Sequence, residues 1–337
     1  MHPVLTLRVP CPPHDARAMR WAARSPVVER VSARLPDVNT AHRPSLPTLL
    51  APLERSLLMG VVNATVDSFS DAGRYPDTAS RIALIDQLVA DGADVIDIGG
   101  QSAITGVPET DPADEAAAVE PLVAHVARTH PDVLISVDTY KPAVVEASLA
   151  AGAHIINDVS GLRYPAVAEL VAASSASLVV MHNLSKPKER LTVTDLYDNL
   201  ETEVLSFISE RVDQVVAMGV APERIIVDPG PDFSKTPHQT VAMLRHADDL
   251  LALGFPVLMA VSRKDFIGAV LGRAPDARQA GTLGVMAALE EVGSFIYRVH
   301  DVASCRDFLT MRAVMRGEVL VNPDLELAPE LRRVRKG

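Results

Sequence analysis

The chain has 337 residues, of which 48% are hydrophobic and 22% charged, so it can bury a large core as one large domain or two small ones. A formal net charge of -11 argues against nucleic acid or an anionic membrane as the main partner. The two cysteines, Cys11 and Cys305, lack neighbours of metal-ligand type, so a disulfide framework or a zinc site is not expected. No apolar run approaches the ~18 residues of a membrane span. Since the first residues show no secretory signal, we expect a cytoplasmic protein.

Residues 1–52 differ in composition from the rest of the chain. Prolines crowd both ends of this segment, and an Arg-rich stretch from Asp15 to Leu35 suits one helix. An organelle transit peptide is an alternative, but the acidic residues in the stretch argue against it. We therefore expect a partly ordered N-terminal extension, then a main domain of residues 53–318 and a tail of residues 319–337.

From Leu57 onward, short apolar runs alternate with helical segments. The runs predict eight strands, at 57–62, 94–98, 134–138, 154–157, 178–182, 224–228, 257–261 and 294–299. The segments between them predict helices near 79–90, 111–128, 142–151, 165–173, 195–218, 238–253, 265–271, 277–291 and 302–315.

Eight such units predict an α/β protein with the (β/α)8 TIM-barrel fold, which typically takes ~250 residues. Asp91-Gly-Ala-Asp94 and Ala151-Gly-Ala-His154 each place a helix stop just before a strand. A doubly wound open sheet is the main competitor. It is disfavoured because no Gly-x-Gly-x-x-Gly turn follows the first strand.

Each predicted strand ends in, or leads to, a polar residue. Singly, a strand-end Asp is more often an N-cap, as Asp138 and Asp301 would be, and a lone His182 is more often a core residue. In a barrel, however, all the carboxyl ends of the strands face one mouth. The set therefore predicts one site, built from Asn63, Asp97, Asp138, Asn157, His182, Asp228, Lys264, Arg298 and His300.

The types of these groups suit a nitrogen-rich ring. A buried carboxylate such as Asp228 can accept two parallel hydrogen bonds from a heterocycle that carries N–H beside an exocyclic NH2. Asn157 offers a donor and an acceptor to the same ring. Lys264 is a point charge that can bond a ring carbonyl or nitrogen.

Other groups suit a phosphorylated arm on that ring. Arg298 and His300 are two residues apart on one strand, so they point to the same side and suit a phosphate or diphosphate. Asn63 offers an oxygen to a Mg2+ ion that also uses phosphate oxygens.

From about Leu57 to Met315, the chain resembles the dihydropteroate synthase family. The matching segments are Asn63–Asp71, Asp97–Ser102, Ser136–Lys141, Ile156–Gly161, Asp228–Gly230 with Phe233 and Lys235, Ser262–Gly268, and Arg298–Asp301. The family displaces diphosphate from a hydroxymethyl-dihydropterin diphosphate with the amine of p-aminobenzoate. Relatives also suggest a homodimer formed through late helices.

The resemblance implies roles for individual residues. Asp138, Lys264, Arg298 and His300 are the expected catalytic residues, and Phe233 joins the substrate-binding set. The pterin would be held by Asp97, Asp138, Asn157, Asp228 and Lys264, and the diphosphate with Mg2+ by Asn63, Arg298 and His300.

The chain departs from the family pattern at several loop positions. Ala103 and Ile104 replace Thr and the Arg that would touch diphosphate, and Val66 replaces Pro. Pro231-Asp232 replaces an Ile-Gly pair. Asp265 replaces a Ser at a helix N-terminus, where the family would receive the benzoate carboxylate. An Asp there repels a carboxylate and can itself take the positive helix end.

Several functions are consistent with the sequence. The first is a dihydropteroate synthase, and the second is a diverged paralogue that uses another amine or has little activity. The third is a non-catalytic pterin-binding or partner-regulating protein. A corrinoid/folate methyltransferase pterin domain is disfavoured, because Arg298 and His300 suggest diphosphate.

Overall fold

The structure, a computed structural model, describes residues 53–64, 75, 77–101, 108–189, 191, 193–328 and 331–332. The predicted extension of residues 1–52 lies outside the described residues. So do the departures at Val66, Ala103 and Ile104.

Eight parallel strands form one sheet, in the order β6-β5-β4-β3-β2-β1-β8-β7. A bridge between Val227 and Val257 joins β6 to β7, so the sheet almost closes on itself. The predicted (β/α)8 barrel is confirmed. The strands are β1 (Leu57–Asn63), β2 (Val95–Gly99), β3 (Leu134–Asp138), β4 (Ile155–Asp158), β5 (Ser177–Met181), β6 (Ile225–Asp228), β7 (Leu258–Met259) and β8 (Ile296–Val299).

Helices follow the strands and pack on the outside of the barrel. Those in the described part of the chain are α1 (Thr78–Ala90), α2 (Pro112–Thr129), α3 (Pro142–Ala151), α4 (Pro165–Ala172), α5 (Leu200–Ala217), α6 (Pro237–Arg245), α7 (Ala247–Leu251), α8 (Asp265–Leu271), α9 (Gln279–Leu289) and α10 (Val302–Met315). None of them combines the length and apolar character that a bilayer crossing requires.

Two predicted helices differ from the observed ones for local reasons. The helix expected from residue 195 begins only at Leu200, because the Asn199 side chain accepts from Thr202 N and caps it. The helix expected over 238–253 divides at His246, whose backbone (φ -108°, ψ 35°) is not helical. The predicted stops are confirmed, since Gly92 (φ 95°) and Gly152 (φ 109°) take left-handed conformations after α1 and α3.

The interior of the barrel is built in layers, because side chains along a strand alternate between its two faces. One apolar cluster inside the barrel contains Leu57, Met59, Val95, Leu134, Ile155, Val179, Ile226, Leu258 and Ile296. Two residues further along the strands, the inward positions become largely polar. They are Val61, Asp97, Ser136, Asn157, Met181, Asp228, Ala260 and Arg298. The apolar layer thus forms a floor beneath a polar layer that faces the mouth.

The turn after β6 depends on Gly230. Its backbone is left-handed (φ 64°), and a Cβ at this position would overlap the carbonyl oxygen of His182. Only glycine meets both conditions without moving the backbone of the neighbouring strand end.

Gly230→Ala should therefore lower the free energy of unfolding in urea by about 1–3 kcal/mol more than a matched glycine substitution, since the added methyl group overpacks the turn. Gly254→Ala is the match, because Gly254 is also left-handed (φ 82°) but has no atom within 4 Å of an added Cβ. Equal losses in the two variants would contradict the role given to the His182 carbonyl.

Candidate active site

A cavity of about 540 Å³ opens at the carboxyl ends of the strands. All eight strands, or the loops that follow them, contribute residues to its wall. Of the nine residues to which the family resemblance gives a role, eight line it: Asn63, Asp138, Asn157, Asp228, Phe233, Lys264, Arg298 and His300. These eight lie together at one mouth; the strand ends predict seven of them, and Phe233 was expected from the family resemblance alone. Their roles toward a substrate stay predictions.

Arg298 on β8 joins two carboxylates from neighbouring parts of the barrel. Its Nε donates to Asp97 Oδ2 at 2.6 Å, and its Nη2 donates to Asp138 Oδ2 at 3.0 Å. Burial alone would lower the pKa of Arg298, but the Asp97 and Asp138 carboxylates raise it. The guanidinium therefore stays charged and is held in one orientation by two directed contacts.

Asp97 is the remaining residue of the nine, and it does not line the cavity. It is fully buried, and its oxygens accept from Ser136 Oγ at 2.6 Å as well as from Arg298. Asn157 Nδ2 lies 3.5 Å from both of its oxygens. Direct contact with a ring remains a prediction, and the geometry makes Asp97 a positioning residue for Arg298 and Asn157.

Asn157 lines the cavity and carries an acceptor atom without a partner among the described residues. Its side chain is buried, and because Nδ2 faces Asp97, Oδ1 has no hydrogen-bond partner among the described residues. A buried polar atom without a partner is costly. A ligand that donates an N–H at this point would satisfy it.

Asp228 and Asp138 supply the carboxylates of the cavity. Asp228 is 2% exposed, and its Oδ1 accepts from Gly230 N at 2.7 Å. Burial raises the pKa of Asp228 to about 6, against the Gly230 hydrogen bond and the charge of Lys264. Burial also raises the pKa of Asp138, against the charge of Arg298. At neutral pH, Asp228 is mostly an anionic acceptor.

Lys264 is the residue immediately before α8, and its Nζ lies 4.5 Å from the centroid of the Phe233 ring. Burial lowers the pKa of Lys264, while the Asp232 and Asp228 carboxylates oppose that shift. The ammonium group thus lies over the Phe233 ring face, and the two carboxylates favour its charged form.

His300 serves as a neutral hydrogen-bonding group. Burial and the charge of Arg298 lower its pKa to about 3. Its backbone N–H donates to Ser262 Oγ at 3.3 Å, and its Nδ1 lies 3.0 Å from the same oxygen. Because the Ser262 hydroxyl can donate to Nδ1, the Nε2 atom is free to carry the ring proton.

The prediction that His182 joins this set is wrong. β5 ends at Met181, which lines the cavity, and alternation turns the next side chain to the other face. His182 is fully buried, with Nδ1 2.8 Å from Lys235 Nζ. Lys235 Nζ also donates to the carbonyl oxygens of Gly230 (3.2 Å) and Phe233 (3.1 Å), so the pair holds the turn after β6.

Asp138 and Asp301 were both possible helix N-caps, and only one of them is. Asp301 does cap α10, since its Oδ1 accepts from Ser304 N at 2.9 Å. Asp138 does not cap α3, because the residue at that position is Lys141, three residues further along. The local sequence does not distinguish the two aspartates.

The loop between β5 and α5 contributes cavity residues that sequence reasoning missed, including Lys186, Lys188 and Glu189. The available signal was the Lys-Pro-Lys run in a long loop of an acidic chain. Arg163 supports this loop by donating to the carbonyl oxygens of Leu184 (2.6 Å) and Ser185 (3.2 Å). The lysines add positive charge to the rim of the cavity.

The rim also carries Asp232, whose Oδ2 accepts from the backbone N–H groups of Asp265 (2.6 Å) and Phe266 (3.3 Å). Asp232, rather than Asp265, therefore accepts from these first amides of α8. Asp265 Oδ1 accepts from Arg278 Nη1 at 3.1 Å. Asp232 also has a left-handed backbone (φ 64°), a conformation that glycine adopts more readily than other residues.

Taken together, the fold and the cavity define an α/β-barrel enzyme whose mouth suits a planar, nitrogen-rich ring with an anionic arm. Asn157, Asp228 and Arg298 lie in the lower polar layer, and Lys186, Lys188 and Asp232 lie at the rim. This arrangement is the expected class of site for the carboxyl ends of barrel strands.

Comparison with known proteins supports this class of enzyme. Residues 59–300 match the family model described as "Pterin binding enzyme". Inactive dihydropteroate synthase 2 of Mycobacterium tuberculosis is 39% identical over 269 residues (78% of this chain, 84% of the relative). The dihydropteroate synthase of Neisseria meningitidis serogroup C is 40% identical over 263 residues (76% and 92%). The solved Xanthomonas albilineans dihydropteroate synthase with 4-aminobenzoic acid superposes with a TM-score of 0.71 at 37% identity (78% and 94%).

This chain therefore belongs to the pterin binding enzyme family, among the dihydropteroate synthases.

The Arg298 network predicts unequal effects for two buried aspartates. Asp97→Asn weakens the contact with Arg298 and should lower the free energy of unfolding by about 1–3 kcal/mol at pH 7.5, measured in urea. Asp158→Asn is the matched control, since Asp158 also ends a strand and is 1% exposed but lies off the cavity.

Burial raises the pKa of Asp158 to about 6. Its stabilising contribution is thus present below its ordinary pKa of 3.8 and is lost as the pH rises through about 6. A neutral Asn should then be tolerated at pH 7.5, within about 1 kcal/mol. Equal destabilisation by both substitutions would refute the special role of Asp97.

Proposed function

We propose that the chain is a transferase of the dihydropteroate synthase type. It condenses 6-hydroxymethyl-7,8-dihydropterin diphosphate with p-aminobenzoate and releases dihydropteroate and diphosphate. The observation that carries this proposal is the convergence of Asn157, Asp228, Lys264 and Arg298 on one cavity. The family membership supports the same reaction.

The pterin half of the substrate matches the lower part of the cavity. Asp228, as a buried anion, accepts from the ring N–H and the exocyclic NH2 of the pterin. Asn157 Oδ1, which has no partner among the described residues, accepts a further N–H. Lys264 donates to a ring carbonyl or nitrogen beside the Phe233 face. The ring is then held by its edge, which sets the direction of its methylene arm.

The chemistry is a displacement at that methylene carbon. The carbon–oxygen bond to diphosphate breaks with its electron pair on oxygen, the amine nitrogen forms the new carbon–nitrogen bond, and a proton leaves that nitrogen. Arg298 and the neutral His300 N–H stabilise the charge that develops on the leaving oxygen. The arylamine is already nucleophilic, so positioning supplies most of the remaining rate acceleration.

Mg2+ is the proposed metal. It takes oxygen ligands and is usually held by few protein groups together with substrate phosphates and water. Asn63 lines the cavity at the end of β1, which pairs with the strand that carries Arg298. This donor set suits Mg2+ only together with a diphosphate. When bound, the ion would neutralise charge on the leaving group.

The proposal also includes a cytoplasmic location and a homodimer formed through late helices. Met311 and Met315 on α10 are 56% and 79% exposed, which suits an apolar contact between copies. Sedimentation of the purified chain measures the assembly state.

A diverged paralogue is the second candidate, and Asp232 is the observation that favours it. The family pattern would bring the benzoate carboxylate to the first amides of α8. In this chain Asp232 Oδ2 already accepts from those of Asp265 and Phe266. An incoming carboxylate would be repelled by the negative charge of Asp232. It would also find that the two amide N–H donors are already bonded to Asp232. An amine without a carboxylate would meet neither obstacle, and the relative in Mycobacterium tuberculosis is itself named inactive.

Diphosphate release distinguishes the two candidates. The purified chain is mixed with the pterin diphosphate and Mg2+, with and without p-aminobenzoate. Release that depends on p-aminobenzoate is expected, and Asp228→Asn should abolish it by weakening pterin binding, with Asp158→Asn as the active control. Pterin binding without p-aminobenzoate-dependent release would favour the paralogue, and no pterin binding by the unaltered chain would refute both candidates.

If Asp232 obstructs the carboxylate, Asp232→Gly should lower the KM for p-aminobenzoate about tenfold, the effect of removing one nearby like charge. The glycine also suits the left-handed backbone. Asp265→Ser is the comparison, and a smaller effect is expected because Arg278 offsets the Asp265 charge. An unchanged KM for p-aminobenzoate in Asp232→Gly would show that the Asp232 charge does not obstruct the carboxylate.

A further inference from the structure

We propose that α1 and α2 carry a zinc site formed by Asp86, His125 and His130. The Nε2 atoms of both imidazoles lie 2.8 Å from the same carboxylate oxygen, Asp86 Oδ1. One donor atom from each of the three residues lies within 4.8 Å of the others. Two imidazole nitrogens and one carboxylate oxygen thus converge on one point.

Helix geometry explains how distant residues meet there. Asp86 lies on α1 and His125 lies near the end of α2. His130 follows α2 with a non-helical backbone (φ -130°, ψ 63°), so its ring can approach the carboxylate that His125 already contacts. The two rings lie edge to face, with centroids 5.9 Å apart and planes at 71°. Each ring therefore presents its own edge to Asp86.

The donor set selects the type of ion. Imidazole suits zinc and its transition-metal neighbours, whereas Mg2+ prefers oxygen ligands alone. Two histidines and one carboxylate leave one position of a tetrahedral zinc open for water. Both rings contact a single carboxylate oxygen, and His125 Nε2 also lies 3.3 Å from Thr129 Oγ1.

The geometry needs only a small adjustment. Ligands about 2.0–2.1 Å from a tetrahedral zinc are about 3.3 Å apart, so each nitrogen–oxygen separation must open by about half an ångström. The Asp86 side chain is 48% exposed and can move, while the His125 and His130 side chains are 11% and 22% exposed and are held by packing. The rings are thus a preformed pair that a mobile carboxylate completes.

This site is separate from the proposed active site. None of the three residues lines the cavity, and His130 leads into the amino end of β3, on the opposite side of the barrel from the mouth. Bound zinc would tie α1 to the end of α2. Its binding depends neither on a pterin nor on turnover.

The experiment titrates zinc into the full chain, freed of metal and of any histidine tag, with calorimetry as the readout. We expect one zinc per chain, at least tenfold weaker binding in His125→Ala and His130→Ala, and loss of binding in the double variant. Zinc should also raise the thermal midpoint of the unaltered chain but not of the double variant. Mg2+ should produce no midpoint difference between these two proteins.

His246 provides a matched control. Together with Asp248 and Asp249 it forms the other three-residue group of possible metal ligands in the described part of the chain. That group has one imidazole and three exposed side chains, so His246→Ala should bind zinc as the unaltered chain does. The proposal is overturned if zinc fails to bind, if the double variant binds equally well, or if His246→Ala abolishes binding. Circular dichroism of each variant shows whether a loss reflects unfolding.

Discussion

The paired contact of Arg298 with Asp97 and Asp138 is the constraint on which the mouth of the barrel depends. A guanidinium buried without partners would cost several kcal/mol, and two carboxylates brought together without a cation would repel each other. The three groups are therefore acceptable only as a set, with separations of 2.6 and 3.0 Å. Because Asp97 also faces Asn157, the same set determines where the Asn157 acceptor points. Removing one member would disturb both the cationic and the acceptor parts of the cavity.

Strand alternation explains why this set is possible. The residues that form the apolar floor and those that form the site occupy the same face of each strand, two positions apart. Ile296 and Arg298 on β8 are one example, and Ile226 and Asp228 on β6 are another. The floor excludes water from below, which strengthens every interaction above it and raises the pKa of Asp228. The same alternation of side chains along each strand therefore provides both the apolar floor and the polar residues of the site.

The lower cavity and the rim differ in character. Below, the acceptors and cations suit a pterin and its leaving group. At the rim, Asp232 satisfies the first amides of α8, although its left-handed backbone is unusual for a residue other than glycine. Stabilising the end of α8 in this way places negative charge where a second substrate would approach. Pterin binding and amine selection are therefore separable properties of this fold.

The sequence alone was sufficient for the barrel, for most helix bounds and for the placement of seven strand-end residues at its mouth, because periodicity and strand ends are local signals along the chain. Only the tertiary structure separated Met181, on the cavity wall, from His182 behind it. It alone brought Asp232 to the amides of α8, and Asp86 to His125 and His130. Such contacts join residues about 30 to 45 positions apart. They depend on how neighbouring helices and loops pack once the barrel closes, which no local pattern records.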